Sequence, residues 1–438
     1  MRYYSTRDRR REWPMTLDGA LSAGLAPDGG LYVPESLPHR GLRALADART
    51  LPAIAERLLA PFFSGSSLAE RLGVICREAL DLPTPIVPLA GPGVSGPSAV
   101  LELFHGPTAA FKDYAARFLA TCLAGLRQRD EPVRTVLVAT SGDTGGAVAA
   151  AFHRRPGFRV VILYPEGRVS PRQAHQLGAF GDNVHCYRVA GTFDDCQRMV
   201  KALLADRAQA ARFALTSANS ISLGRLLPQM AYYAHAALTY LAEGQSPPTV
   251  IIPSGNLGNA LAAILAREIG LPLGEIVLAT NANPTLSEWH ASGRYQGRPS
   301  MATLANAMDV GDPSNFERLS WLYAGRDARA AGIRVERVDD ETIQARVRAG
   351  ETAYGQVWCP HTACAVEAME RLRRRGHGEP MLLVATAHPA KFDSVVEPLV
   401  GHAVAPPPAL ADILARPSHS EPMAAETDAL SAALAALE

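Results

Sequence analysis

From Ser98 onward the chain alternates short apolar runs with stretches of helical periodicity, and this rhythm limits the fold more than any other feature. The runs AVLELF (99–104), TVLVAT (135–140), FRVVILYP (158–165), NVHCYRVA (183–190), FALTSA (213–218), TVIIPS (249–254), EIVLAT (275–280) and MLLVAT (381–386) all have strand length. Helical patterns such as LGRLLPQMAYYAHAALTYLA lie between several of them. Such alternation predicts an α/β chain with a largely parallel sheet and helices on both faces. Residues before about 85 form a preface. There LAPDGGLYVPESLP (25–38) reads as a turn-rich loop and 50–82 shows helical periodicity, which suggests a packing region remote from chemistry. From Ala403 a proline-rich linker leads to a short terminal helix over 424–437.

In open α/β sheets ligands collect at the carboxyl ends of strands. Four polar clusters fall at such ends: HGPTAAFKD (105–113), TSGDTGG (140–146), PSGNLGN (253–259) and TAHPAKF (386–392). Their coincidence points to one site built from several loops.

Lysine is scarce. The chain has 43 basic residues, yet lysine occurs only at Lys112, Lys201 and Lys391. A coding bias toward arginine could produce that pattern without function. A primary amine, however, can form an imine with an aldehyde and shuttle a proton, whereas a guanidinium stays protonated. Lys201 sits in the amphipathic pattern FDDCQRMVKALLADRA and reads as a solvated surface residue. Lys112 and Lys391 sit in Gly/Pro/Thr/His-rich loops.

PSGNLGN joins an apolar run to the helical stretch ALAAILAREIG. Gly255 and Gly258 let backbone N–H groups converge at a helix N-terminus, an arrangement suited to a phosphate or simply to a tight turn. It is neither a Walker A sequence nor a GxGxxG fingerprint. TSGDTGG shares the setting and adds Ser141, Thr144 and Asp143. The Asp143 carboxylate can cap the helix, and would orient donors or meet a substrate ammonium more readily than a phosphate. NSISLGR (219–225) ends on Arg225, which could grip an oxyanion bidentately or lie on the surface. In TAHPAKF, Thr386 could place a hydroxyl against a heterocycle nitrogen and Lys391 could add charge for an anionic substrate; His388 could equally be a packed loop histidine.

Composition narrows the classes. Formal net charge is zero with both signs mixed, so no basic tract points to nucleic acid or a membrane surface. The basic start MRYYSTRDRRREWPM is followed by no uninterrupted apolar run, so neither a signal peptide nor a transmembrane helix is expected. Six cysteines are scattered without a CxxC pair. They read as reduced thiols of a cytoplasmic protein, with neither a disulfide framework nor a metal site.

Taken together the motifs resemble the threonine synthase family, fold type II pyridoxal-phosphate (PLP) enzymes related to the tryptophan synthase β-subunit. The resemblance runs through YYSTRD, GLAPDGGLYVPESLP, ELFHGPTAAFKD, ATSGDTGGAV, NSISLGRLLPQMAYY, PSGNLGNALA, TLANAMDVGDPSNFERL, PHTACAVEA and ATAHPAKF, nearly the whole chain in order. It implies two open, twisted, mostly parallel sheets flanked by helices. Residues 1–88 would be a family-specific N-terminal region, 89–120 with 235–402 a large PLP-binding domain, 121–234 a smaller inserted domain, and 403–438 a C-terminal linker and helix. Lys112 would hold PLP as a Schiff base and act as the proton carrier. The backbone of Gly255, Asn256, Leu257, Gly258 and Asn259 would cradle its phosphate, and Thr386 would face the pyridine nitrogen. Ser141, Asp143, Thr144, Asn219, Ser220, Arg225 and Lys391 would line the substrate pocket.

The implied reaction converts O-phospho-L-homoserine and water to L-threonine and phosphate in a monomer or homodimer. A paralogue with the same cofactor residues would instead be a phospho-lyase or a threonine/serine dehydratase giving a 2-keto acid. The chain departs from the family pattern at Leu257, where phenylalanine is usual, at Ser222, where asparagine is expected, and at Cys359, where aspartate is frequent.

Overall fold

The computed structural model describes residues 1–39, 42–45, 47–128 and 130–438. Thirteen strands occur among them in chain order. They are β1 (Tyr3–Ser5), β2 (Tyr32–Pro34), β3 (Ile86–Pro88), β4 (Ser98–Glu102), β5 (Arg134–Ala139), β6 (Phe158–Pro165), β7 (Val184–Ala190), β8 (Leu215–Ser217), β9 (Thr249–Pro253), β10 (Ile276–Thr280), β11 (Ile333–Arg337), β12 (Met381–Ala385) and β13 (Glu421–Ala424).

Two parallel sheets carry the molecule. The larger has the order β11-β10-β9-β12-β4-β3, parallel except for β3, which runs antiparallel to β4. The smaller has the order β13-β7-β6-β5-β8 and is parallel throughout. The doubly covered α/β fold expected from the sequence is thus present. The central strands β9, β10 and β12 are buried at every position because helices cover both faces. In β9, Val250 and Ile252 enter one buried cluster while Ile251 enters another; in β5, Val136 and Val138 face one way and Leu137 and Ala139 the other. Each fully buried Val, Ile or Leu contributes about 1.5–3 kcal/mol relative to leaving it exposed.

The cluster that takes Val136 and Val250 is continuous through the N-terminal region. Helices Leu17–Ala23 and Leu72–Leu80 bury their apolar faces there against helix Lys112–Leu126, and helix Leu51–Leu59 packs against Leu72–Leu80 and helix Met230–Ala242. Tyr3 on β1 adds a hydroxyl donated to Phe62 O at 2.6 Å.

The C-terminal stretch is more structured than its proline content suggested. A helix occupies Pro408–Leu414, and β13 pairs with β7 as the edge of the smaller sheet before the final helix Thr427–Ala435. Only Met423 of β13 is buried, so ladder hydrogen bonds to β7, and not local propensity, hold this strand.

Strand order places the polar loops together. β9, β12 and β4 are neighbours, so the loops that follow them at 254–257, 386–388 and 103–111 open side by side. The loop after β5 in the smaller sheet closes the site from the opposite side.

Candidate active site

The loop from Leu103 to Phe111 is fastened to the one after β12. Leu103 N donates to Ala385 O, Phe111 N to Thr386 O and His388 N to Ala109 O, at 2.9–3.0 Å. Inside the loop, Asp113 accepts Thr108 N at 2.8 Å and the Thr108 hydroxyl at 2.6 Å. A Cβ at Gly106 would lie 2.4 Å from Asp113 Oδ2, so the motif needs glycine there. This scaffold presents Lys112 as the first residue of helix Lys112–Leu126. Burial lowers the Lys112 pKa, with Lys391 and Arg225 acting in the same direction and Asp143 opposing them; a helix N-terminus also disfavours a cation.

After β5, the Thr140 hydroxyl accepts from Gly142 N at 3.0 Å and Gly145 N at 2.9 Å, which folds TSGDTGG back on itself. The turn leaves Asp143 at the start of helix Asp143–Phe152, 3% exposed. Its carboxylate is shared. Oδ1 lies 2.9 Å from Lys391 Nζ and accepts Gln173 Nε2 at 3.0 Å; Oδ2 lies 3.8 Å from Lys112 Nζ. Burial alone would raise its pKa, but Lys391 and Lys112 outweigh that and hold the carboxyl well below the usual carboxylate range. Asp143 therefore faces the Lys112 amine as a carboxylate and opposes the effect of burial on it.

After β9, the chain turns through Leu257 in the left-handed conformation (φ 63°) into helix Gly258–Glu268, whose start no side chain caps. Consecutive N–H groups of such a turn converge on an anion. A Cβ on Gly255 would sit 2.7 Å from Met308 Cα, so only glycine lets the turn lie against the segment beneath it. The Leu257 side chain is 3% exposed and packs into the core, so this departure from phenylalanine leaves the backbone turn intact.

These loops enclose a cavity of about 160 Å³. Lys112, Ser141, Asp143 and Thr144 lie on its wall, with Asn219, Ser220 and Arg225 beside them. Gly255 to Asn259 form the facing side, and Thr386 closes one end. Lys391 is the exception. It is 1% exposed, donates to Thr108 O at 2.6 Å and pairs with Asp143 from behind. It reaches the cavity only through that carboxylate. Ser222 also stands off the wall, buried, with its hydroxyl accepting from Gly224 N at 3.3 Å. Cys359 likewise caps a helix, Pro360–Arg374, through Thr362 N.

Among the cavity-lining residues that the sequence did not assign to the site are His361 and Lys201. His361, one residue into helix Pro360–Arg374, accepts Ala307 N at its Nε2 (3.1 Å), which puts the proton on Nδ1. Burial pushes its pKa down to about 4; Lys112 and Lys391 add to the fall and Asp143 opposes it. Lys201 is exposed, as its amphipathic pattern implied, yet it stands on the cavity's edge. The position of His361 at a helix start in PHTACAVEA was the available signal; Lys201 had none.

The chemistry of the wall fits PLP. Asn219 Oδ1, Asn259 Nδ2 and Arg225 Nε are buried polar atoms without a partner, and all three residues line the cavity. Tyr232 and Tyr233 donate their hydroxyls to Asn259 Oδ1, which fixes the orientation of that amide and leaves its NH₂ to serve a ligand. A primary amine, an uncapped helix start and unsatisfied donors around one small cavity match an aldehyde that carries a phosphate.

Comparison with known proteins gives the same reading. Residues 79–387 match the family described as pyridoxal-phosphate dependent enzyme. Residues 2–80 match the threonine synthase N terminus and 362–434 the threonine synthase C-terminal family. Threonine synthase of Escherichia coli K12 is 36% identical over 432 residues, 98% of each chain, and that of Schizosaccharomyces pombe is 33% identical over 90% of this chain and 88% of its own. Among solved structures, threonine synthase from Escherichia coli superposes with a TM-score of 0.90 at 34% identity, covering 100% of both chains. A PLP-bound threonine synthase from Brucella melitensis gives 0.87 at 34% identity over 99% of this chain and 98% of its own.

Proposed function

The chain belongs to the threonine synthase family, and from that premise we propose how its own residues carry the reaction. It is a PLP-dependent lyase that turns O-phospho-L-homoserine and water into L-threonine and phosphate. When bound, PLP supplies an electron sink conjugated to the substrate's Cα. In this reaction protons are taken from Cα and Cβ, phosphate leaves Cγ, the hydroxyl of water adds at Cβ, and protons are delivered to Cγ and back to Cα.

Lys112 is the proton carrier: its amine stands on the cavity wall, and burial lowers its pKa, which favours the free base. Asp143 holds that amine in place from 3.8 Å. When PLP is bound, the backbone of Gly255, Asn256, Leu257, Gly258 and Asn259 would hold its phosphate, and Thr386 would offer its hydroxyl to the pyridine nitrogen. Arg225 offers an unpartnered Nε to a substrate oxyanion; burial lowers its pKa to about 10, with Asp113 opposing, so it stays cationic. Ser141, Thr144, Asn219 and Ser220 supply the remaining polar wall, and Lys391 acts on the substrate pocket through Asp143.

The observation that carries this reading is the placement of Lys112 opposite an uncapped glycine turn, inside one cavity with unsatisfied polar atoms. Incubation with O-phospho-L-homoserine tests it, with threonine, phosphate and 2-oxobutyrate quantified. Threonine and phosphate in equal amounts are expected. A dominant keto acid would make the chain a dehydratase-type paralogue instead.

The larger sheet with its helices is the cofactor-binding domain, the smaller one the inserted domain, and 403–438 associates with the latter through β13. A cytoplasmic setting is supported by six free cysteines, all buried. Among the described residues no helix is long and apolar enough to cross a membrane. A monomer or homodimer is the assembly we assign, and light scattering of the purified protein distinguishes the two.

A further inference from the structure

Arg318 is 2% exposed and has no carboxylate within ion-pair distance among the described residues. Its Nε donates to Tyr32 O at 3.1 Å, its Nη1 donates to Asn315 Oδ1 at 2.9 Å, and its Nη2 has no partner. A buried guanidinium served only by neutral oxygens costs folding free energy, because its desolvation is not offset by an opposite charge. Burial lowers its pKa to about 9, with Glu317 opposing, so it remains charged near neutral pH. Stability does not account for it.

What the guanidinium holds is Asn315, itself 0% exposed. The Asn315 amide NH₂ donates to Asn256 O at 3.1 Å and to Ser220 O at 3.3 Å. Those two carbonyls belong to different halves of the site, the turn after β9 and the loop before Arg225. In the same seam Asn256 Nδ2 donates to Ser220 Oγ at 2.7 Å and Ser314 N donates to Asn256 Oδ1 at 2.6 Å. The bond to Asn256 O has a stereochemical consequence. In a trans peptide C=O and N–H point to opposite sides, so drawing Asn256 O toward Asn315 turns Leu257 N–H away from Asn315. Asn315 does not line the cavity, whereas Asn256, Leu257 and Gly258 do. Without Arg318, the Asn315 amide could flip and present its oxygen to Asn256 O, which would repel it.

We propose that Arg318 is a positioning residue for the cofactor: by fixing the Asn315 amide it sets the Asn256–Leu257 peptide of the phosphate cradle and ties Ser220 to it. The proposal rests on the PLP reading above and deepens it. It also links β2 of the N-terminal region to the site, because Tyr32 O orients the same guanidinium.

The test is equilibrium PLP binding to apoprotein, with Tm of the apoprotein measured alongside. Arg318→Met and Asn315→Ala should each weaken PLP binding by about tenfold or more, the worth of a hydrogen bond to a charged group. The double variant should be no weaker than the worse single one, because the two residues act as a unit. Apoprotein Tm should be unchanged or raised in Arg318→Met, which removes an uncompensated buried charge. Unchanged PLP affinity in Arg318→Met, or a Tm loss that accounts for the affinity loss, would overturn the proposal. If Arg318→Met does not fold, Arg318→Lys is measured instead with the same two outcomes, since lysine keeps the charge but not the two-armed reach. Absence of PLP binding by the unmodified protein would instead refute the cofactor reading itself.

Discussion

Lys391 Nζ lies 2.9 Å from Asp143 Oδ1, and both side chains are almost wholly shielded from water. The pair bridges the two sheets, since Lys391 follows β12 of the larger and Asp143 follows β5 of the smaller. Breaking a buried pair leaves one charge uncompensated, at about 3–5 kcal/mol. Lys391→Met should fall at the lower end, about 3 kcal/mol by denaturant unfolding, because Gln173 and Lys112 still serve Asp143. The same variant removes a cation that lowers the Lys112 pKa. The pH at which apoprotein recaptures PLP at half its maximal rate should therefore move upward. An unmoved midpoint would mean that Lys391 does not act on Lys112.

Lys112→Arg separates chemistry from architecture. Arginine can pair with Asp143 from the same helix start, but it stays protonated and is a poor nucleophile. Phosphate release from O-phospho-L-homoserine should fall by about a thousandfold or more. The visible absorption band of the bound cofactor should disappear while the far-ultraviolet circular dichroism is retained. Turnover retained at wild-type level would remove Lys112 from the mechanism.

The elements that sequence reading recovered share one property: their residues report on their own environment. β9 and β12 are buried at every position because both faces are covered, and a largely apolar run such as TVIIP or MLLVA says so directly. HGPTAAFKD is legible because Gly106, Thr108 and Asp113 contact one another within the motif. β13 was not legible, since three of its four residues are exposed and the ladder to β7 is its only reason to be a strand. Lys391 was placed in the right neighbourhood but assigned to the cavity wall. Its position behind Asp143 depends on a contact between two domains, which no local pattern encodes. Arg318 falls inside TLANAMDVGDPSNFERL, yet nothing local in that motif sets its role apart from that of the many other arginines in this chain.

All six cysteines should be inert in the native protein. Burial pushes the Cys76, Cys186 and Cys196 thiols up to about 12, raises Cys359, and raises Cys122 and Cys364 further. At pH 8 a thiol of pKa 12 is about one part in ten thousand thiolate, the reactive form. Titration with an aromatic disulfide should show no fast-reacting thiol in native buffer and all six in denaturant. A rapid native phase would show that one of these sites opens to solvent, and its rate would measure that opening.

His361 and His388 both have pKa values pushed down to about 4, with burial the largest cause for each. In the unfolded chain a histidine titrates near 6.5. Between about pH 6.5 and 4 the unfolded state therefore binds more protons than the native state, so stability rises with pH across this window. The contribution is fully present above about 6.5 and is lost as pH falls toward 4. Each histidine is worth at most about 3 kcal/mol at neutral pH on this account. In His361→Gln the amide oxygen can still accept Ala307 N, while the titrating ring is gone. The variant should unfold with a shallower pH dependence over that window, His388 supplying what remains. Equal slopes in variant and wild type would show that His361 is not held neutral in the native state, and that the proton on its Nδ1 does not set the polarity of this wall.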